Sequence, residues 1–276
     1  MRREKKRGAV ITWEGFRWGS PWVLLALSAA SALLYVLELP SNDIFLDDLK
    51  DDGVLVGSVF EYLCLTGSSG FLCMVSLCSV VFLGAGIYAQ DYQESAVYMR
   101  IQRMGMKRYA GVRILQTCIS SWLVGCLGIL LAIPLAAAVF HQVPFYPDYV
   151  ESMFLTRGNS LVFLAAYGCT AGFRAMFYAL MTLLFSCFVP KRRVLLALPL
   201  LLWYFNQYVI QQEWIPLYIQ PCKVFEVSVP MSLADLSEWQ TLWYRIFVLL
   251  GLSAAVWFVC LLRLKRTGIF GGEQSE

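Results

Sequence analysis

The sequence predicts an all-α integral membrane protein with six transmembrane helices and both termini in the cytoplasm. Three observations lead there. The 276 residues are 59% apolar or aromatic and 15% charged, against roughly 45–50% and 25% in soluble domains. Six apolar runs approach the ~20 residues that a helix rising about 1.5 Å per residue needs to cross about 30 Å of hydrocarbon. Threading those runs through a bilayer puts 17 of the 22 Lys and Arg on one side.

The runs are Ser20 to Leu39, Phe71 to Gln90, Ile114 to Phe140, Leu161 to Val189, Val194 to Ile210 and Trp243 to Leu262. No water reaches that depth to satisfy backbone groups, so each must be helical. A cleaved signal peptide is the rival reading of the first run. Its basic lead of 19 residues and its continuation through Leu33, Leu34, Tyr35, Val36 and Leu37 give it spanning length instead. In that lead, Val10, Trp13 and Phe16 read either as a short helix on the inner membrane surface or as a frayed tail with chance aromatics.

The fourth run, at 29 residues, exceeds what a perpendicular span requires. A break near 168–172 would start the true span around Phe173 and put Arg174 at the outer interface, where its guanidinium can snorkel. The alternative is a deep Arg174 facing a pore, since a central charge costs about 2.5 to 3.5 kcal/mol on insertion scales. Gly168 and Gly172 also form GxxxG, a pattern that lets helices approach closely. The last outer connection, 211–242, carries Trp214, Tyr218 and Trp239 with Pro216, Pro221 and Pro230. It reads as headgroup-level aromatics or as short helices dipping back toward the membrane. No part of the chain stands apart as a second domain, so residues 1–276 form one transmembrane unit.

The cations expected inside are Arg2, Arg3, Lys5, Lys6, Arg7 and Arg17, then Arg100, Arg103, Lys107, Arg108 and Arg113, then Lys191, Arg192, Arg193, Arg263, Lys265 and Arg266. Of the 19 acids, 13 fall outside, Asp43, Asp47, Asp48, Asp51 and Asp52 among them. With a net charge of only +3, the basic residues read as a topology signal and not as a nucleic-acid footprint. One histidine, His141, and nine cysteines without a CxxC pair leave too few ligands for a usual zinc site, and no cofactor is expected. Cys64 and Cys222, both in outer loops, are the one candidate disulfide.

The most informative stretch is DYQESAVYMRIQRMGMKRYAGVR, 91–113. Val97, Tyr98, Ile101 and Met104 make an apolar stripe at helical spacing, with Arg100, Arg103 and Lys107 off it, until Gly105 breaks the pattern. Such a helix either rests on the inner leaflet near lipid phosphates or docks a cytoplasmic partner.

At the residue level, Gln90-Asp91-Tyr92 followed by Arg103-x-Gly105-x-x-Arg108-Tyr109 resembles type-2 ATP-binding-cassette (ABC) transporter permeases. Leu180-x-x-Leu183-Leu184-Phe185-Ser186, the basic turn Lys191-Arg192-Arg193 and Leu198-Pro199-Leu200-Leu201-Leu202-Trp203-Tyr204 are similar to that family too. The resemblance implies a six-span exporter half in the cell membrane that pairs with a second permease copy or a homologous permease. It also implies that 91–108 is a coupling helix, with Tyr98, Arg100, Ile101, Arg103, Gly105, Lys107 and Arg108 meeting an ATPase subunit. No GxxxxGK[ST] phosphate loop occurs here, so the expected ATPase is another polypeptide and this chain is not itself an enzyme. Consistent with that division, Glu38 lies at a span edge and the span centres hold no Asp or Glu for proton or sodium coupling.

Two other classes compete. A membrane scaffold or sensor would need the same spans. Gly67-Ser68-Ser69-Gly70 reads as the nucleophile pattern of rhomboid-type serine proteases, with His141 as its only possible histidine base. A Ser/Gly-rich turn before a helix explains the same residues without chemistry.

Overall fold

A computed structural model describes residues 21–41, 63, 71–140, 160–210, 214–225 and 236–266. Of these, 91% are helical and none is in a strand. The principal helices are α1 (Pro21–Glu38), α2 (Phe71–Cys78), α3 (Ala85–Gln93), α4 (Ala96–Met104), α5 (Met106–Phe140), α6 (Ser160–Ser186), α7 (Arg192–Phe205), α8 (Pro221–Val224) and α9 (Glu238–Arg266).

Four helical stretches are long and apolar enough to cross a membrane: Met106–Phe140, Leu164–Ser186, Arg192–Ile210 and Trp239–Arg266. The bent pair Phe71–Leu83 and Ala85–Gln93 makes a fifth if it counts as one span, and Trp22–Glu38 is apolar but shorter. The chain is a multi-pass membrane protein. The run expected as one helical span over 71–90 is bent by 42°. Its middle tightens into a 3₁₀ turn, Ser79–Leu83, ahead of Gly84. A Cβ on Gly84 would lie 2.5 Å from the Thr117 hydroxyl oxygen, so the bend brings that backbone directly onto α5.

α5 and α6 share the most extensive packing, followed by α1 with α5. Of the spanning stretches α6 is the most enclosed, 67% buried against 17% for α7 and 22% for α9. It is the axis around which the others assemble. The close approach of α5 and α6 runs through glycine. A Cβ on Gly125 would stand 2.8 Å from the Ala171 carbonyl oxygen, and one on Gly172 would stand 2.7 Å from the Trp122 ring. A Cβ on Gly168 would meet Cys126 and Leu130 at 3.0 Å. The small pair Gly168 and Gly172 thus seats α6 on α5 of the same chain.

This packing overturns the break expected near 168–172, because α6 continues through it. Glycines read as a helix interruption are contact points within one helix. Arg174 consequently sits midway along α6, buried, and not at an interface. Its Nη2 donates to the Tyr35 hydroxyl of α1 at 2.9 Å. Beside them lies a cavity of about 10 Å³ lined by Ser31, Tyr35, Ser76, Gly125 and Ala171, among others.

A second buried arginine went unmarked in the sequence. Arg245, near the start of the sixth apolar run, lies inside α9 and is buried. Its Nε donates to the Val224 carbonyl at 2.6 Å and its Nη1 to the Thr170 hydroxyl at 3.2 Å. Each guanidinium is thereby given protein acceptors where lipid offers none. Glu38, also buried, accepts hydrogen bonds from the Phe71 and Leu72 amides at 3.0 and 2.6 Å. It thus occupies the positive N-terminal end of α2, satisfying amides that no helical carbonyl reaches. Ser69, His141 and Cys64, like the side chain of Cys222, lie outside the described residues.

Candidate functional site

One end of the bundle gathers the basic segments. The Gln93 side-chain amide donates to the Pro190 carbonyl at 2.7 Å, joining the end of α3 to the turn after α6. Arg263 Nε donates to the Cys187 carbonyl at 3.1 Å, bringing the end of α9 to the same turn. Trp257 Nε1 approaches the Lys107 carbonyl at 3.4 Å. Segments 91–113, 187–193 and 257–266, far apart in sequence, are therefore neighbours.

At the centre of this end stands α4, nine residues long, hung between two left-handed backbone positions. Ser95 has φ 54° and Gly105 has φ 80°, the two positive values among the described residues. The Gly105 amide closes the last turn of α4 on the Ile101 carbonyl at 2.7 Å, while its own carbonyl accepts from Tyr109 in the first turn of α5 at 3.0 Å. One residue ends a helix, reverses direction and starts the next. A Cβ on Gly105 would touch nothing within 4 Å, so the demand for glycine is one of backbone conformation. Gly105→Ala should destabilise the protein by about 1 to 3 kcal/mol. Ser95→Gly, which relieves a left-handed strain of about 1 kcal/mol, should stabilise it. Thermal unfolding of the detergent-solubilised variants would show opposite shifts.

The junction is locked from beneath by Asp91, whose side chain is almost entirely buried. Its Oδ2 accepts from three partners: Arg100 Nη1 at 2.6 Å, the Tyr109 hydroxyl at 3.1 Å, and Arg113 Nη2 in an ion pair. Arg113 Nη1 donates on to Gln116 at 2.8 Å, and its guanidinium lies 5.5 Å from the Tyr109 ring centroid. One carboxylate from α3 thereby binds α4 through Arg100 and α5 through Arg113 and Tyr109. Buried charges persist only when paired and hydrogen-bonded; the hub pairs Asp91 with Arg113 and leaves Arg113 Nε as its one buried donor without a partner among the described residues.

These contacts divide the residues expected to meet a partner. Ile101 is buried at 1% exposure and Val97 likewise, both within the main core. Ile101 is thus an anchor of α4 and offers nothing to a partner, which corrects its expected role. Arg100 is committed to Asp91, its side chain 23% exposed, so it is chiefly an internal strut. Tyr98, on the apolar stripe and expected to meet a partner, points outward at 45% exposure beside Met99 at 59%. Gln102, Arg103, Gly105, Lys107 and Arg108 complete the exposed surface. The apolar spacing in the sequence marked the anchoring face. The outward face, two apolar side chains followed by cations, appears only once α4 is docked.

The turn after α6 adds to that end of the molecule. Phe188 and Val189 are exposed, followed by exposed Lys191, Arg192 and Arg193. Arg192 rests over the Phe82 ring at 5.3 Å and Arg263 over Phe188 at 5.7 Å, stacking contacts that fix these long side chains. Among the described residues no group of three or more His, Cys, Asp or Glu could hold a metal ion. No known protein family, curated protein or solved structure matches the chain.

Proposed function

We propose that this chain is the membrane-spanning permease subunit of an ABC exporter, with six spans and both termini in the cytoplasm. It works in the cell membrane as a dimer with a second permease and is driven by a separate ATP-binding subunit gripping α4. The observation that carries this reading is mechanical. A nine-residue helix with an outward face of Tyr98, Met99, Gln102 and Arg103 is fastened by a buried ion pair to the helices on both sides. A partner pushing on α4 therefore pushes on α3 and α5. A helix merely resting on lipid has no need of such a fastening.

The choice of contact residues follows from exposure. Tyr98 and Met99 supply the apolar anchor that a binding cleft would take, and Arg103, Lys107 and Arg108 suit an acidic rim around it. The full-length tagged protein, purified from its own membranes in mild detergent, should bring down a P-loop ATPase. Tyr98→Ala with Arg103→Glu should reduce that recovery at least tenfold while leaving thermal stability near wild type. Purification of the intact wild type with no nucleotide-hydrolysing companion would defeat the proposal and favour a scaffold that transports nothing.

A further inference from the structure

Cys187 and Cys260 place their sulfurs 2.9 Å apart, although 73 residues separate them in sequence. Both are free thiols and both are buried. A disulfide requires about 2.05 Å between sulfurs, so closure asks for an approach of about 0.9 Å.

We propose that Cys187 and Cys260 form a peroxide-responsive dithiol whose oxidation staples the turn after α6 to α9 at the basic end of the bundle. The position supports this on two further counts. Cys187 follows the last residue of α6, in the turn where the basic segments converge, so a small oxidant need not cross the bilayer interior to reach it. Arg263 holds the carbonyl of Cys187 and stacks on Phe188, and a hydrogen bond from the Cys260 thiol, with smaller help from Tyr88 and Arg263, favours the Cys187 thiolate, the reactive form, against the opposing effect of burial. Tyr88 is buried against the pair.

The chemistry balances with one peroxide per pair. The Cys187 thiolate attacks a peroxide oxygen and the O–O bond breaks. The departing hydroxide takes up a proton to become water, and Cys187 is left as the sulfenic acid. The Cys260 sulfur then attacks the Cys187 sulfur, the S–O bond breaks, and the oxygen leaves as a second water carrying the Cys260 proton. Two thiols are oxidised by two electrons to one disulfide, and the peroxide is reduced to two waters. A thiol reductant reverses the bond by exchange.

The proposal is independent of the transport reading, and the sequence gives it a clean test. Cys260 is the only cysteine beyond residue 222. A protease site inserted between residues 230 and 231 therefore yields a C-terminal fragment that can stay attached only through Cys260. The full-length protein in native membranes would be treated with hydrogen peroxide, cleared of peroxide with catalase, denatured in the presence of a maleimide, cleaved and run without reductant. The fragments should remain joined, separate on adding dithiothreitol, and separate without it in Cys187→Ser. Mass spectrometry of the wild type should identify the peptide pair carrying residues 187 and 260. Separation of the oxidised wild-type fragments, or their continued joining in Cys187→Ser, would overturn the assignment.

Discussion

Asp91→Ala should destabilise the protein by about 3 to 5 kcal/mol, the loss typical when one member of a buried ion pair is removed. The size follows from what remains. Arg113, 4% exposed, would keep its charge with its carboxylate gone, and Arg100 would face it across the vacated space. Arg100 can swing toward water because it is partly exposed already; Arg113 cannot. The double variant Asp91→Leu with Arg113→Met should recover much of the loss, since a buried pair replaced by apolar groups of similar volume is often neutral. Chemical unfolding in detergent would measure both. A double variant as unstable as the single one would mean that Asp91 acts through Arg100 or Tyr109 instead. The hub also predicts a separation of effects: Asp91→Ala should loosen α4 and weaken partner recovery, whereas Tyr98→Ala should weaken recovery alone.

Gly125→Ala should cost about 1 to 3 kcal/mol, toward the upper end for a single methyl group. Its new carbon would lie 2.7 Å from the Ala175 Cβ, 2.8 Å from the Ala171 carbonyl and 3.1 Å from the Gly172 Cα. Two of those three are backbone atoms of the most enclosed helix, so no side chain can rotate aside. α5 and α6 must move apart, and that shift would be felt at the Arg174 to Tyr35 bond across the same core. Gly251→Ala is the matched control, because a Cβ there meets nothing within 4 Å. The same substitution there should be neutral or stabilise by up to about 1 kcal/mol, since alanine suits a helix interior better than glycine. Equal losses at both positions would point to a general intolerance of alanine and away from the helix crossing.

Helical character and the clustering of cations were legible because they are carried by composition and by order along the chain. The bilayer imposes one local solution on a long apolar run, so Ile114 to Phe140 could hardly be anything but a helix. What escaped the sequence depends on neighbours distant along it. Glycine at 168 and 172 can mean an interruption or a contact, and only Trp122 and Leu130 on α5 decide between them. Nothing local marked Arg245 as buried, because its acceptors, Val224 and Thr170, come from two other segments. Asp91 stood out only as part of an acidic and aromatic lead, with no local sign that two arginines close on it. The apolar stripe of α4 was visible, but not how it divides: Val97 and Ile101 hold the helix in place, while Tyr98, with Met99 beside it, faces outward.

The buried guanidiniums bear on how the chain is made. Arg113 depends on Asp91, Arg174 on a hydroxyl from α1, and Arg245 on acceptors from α6 and α8. In every case at least one residue that satisfies the cation is synthesised before it. Each arginine-bearing segment thus leaves the ribosome with an acceptor already made, and the order of translation is also an order in which no bare guanidinium has to wait in lipid for a helix still to come.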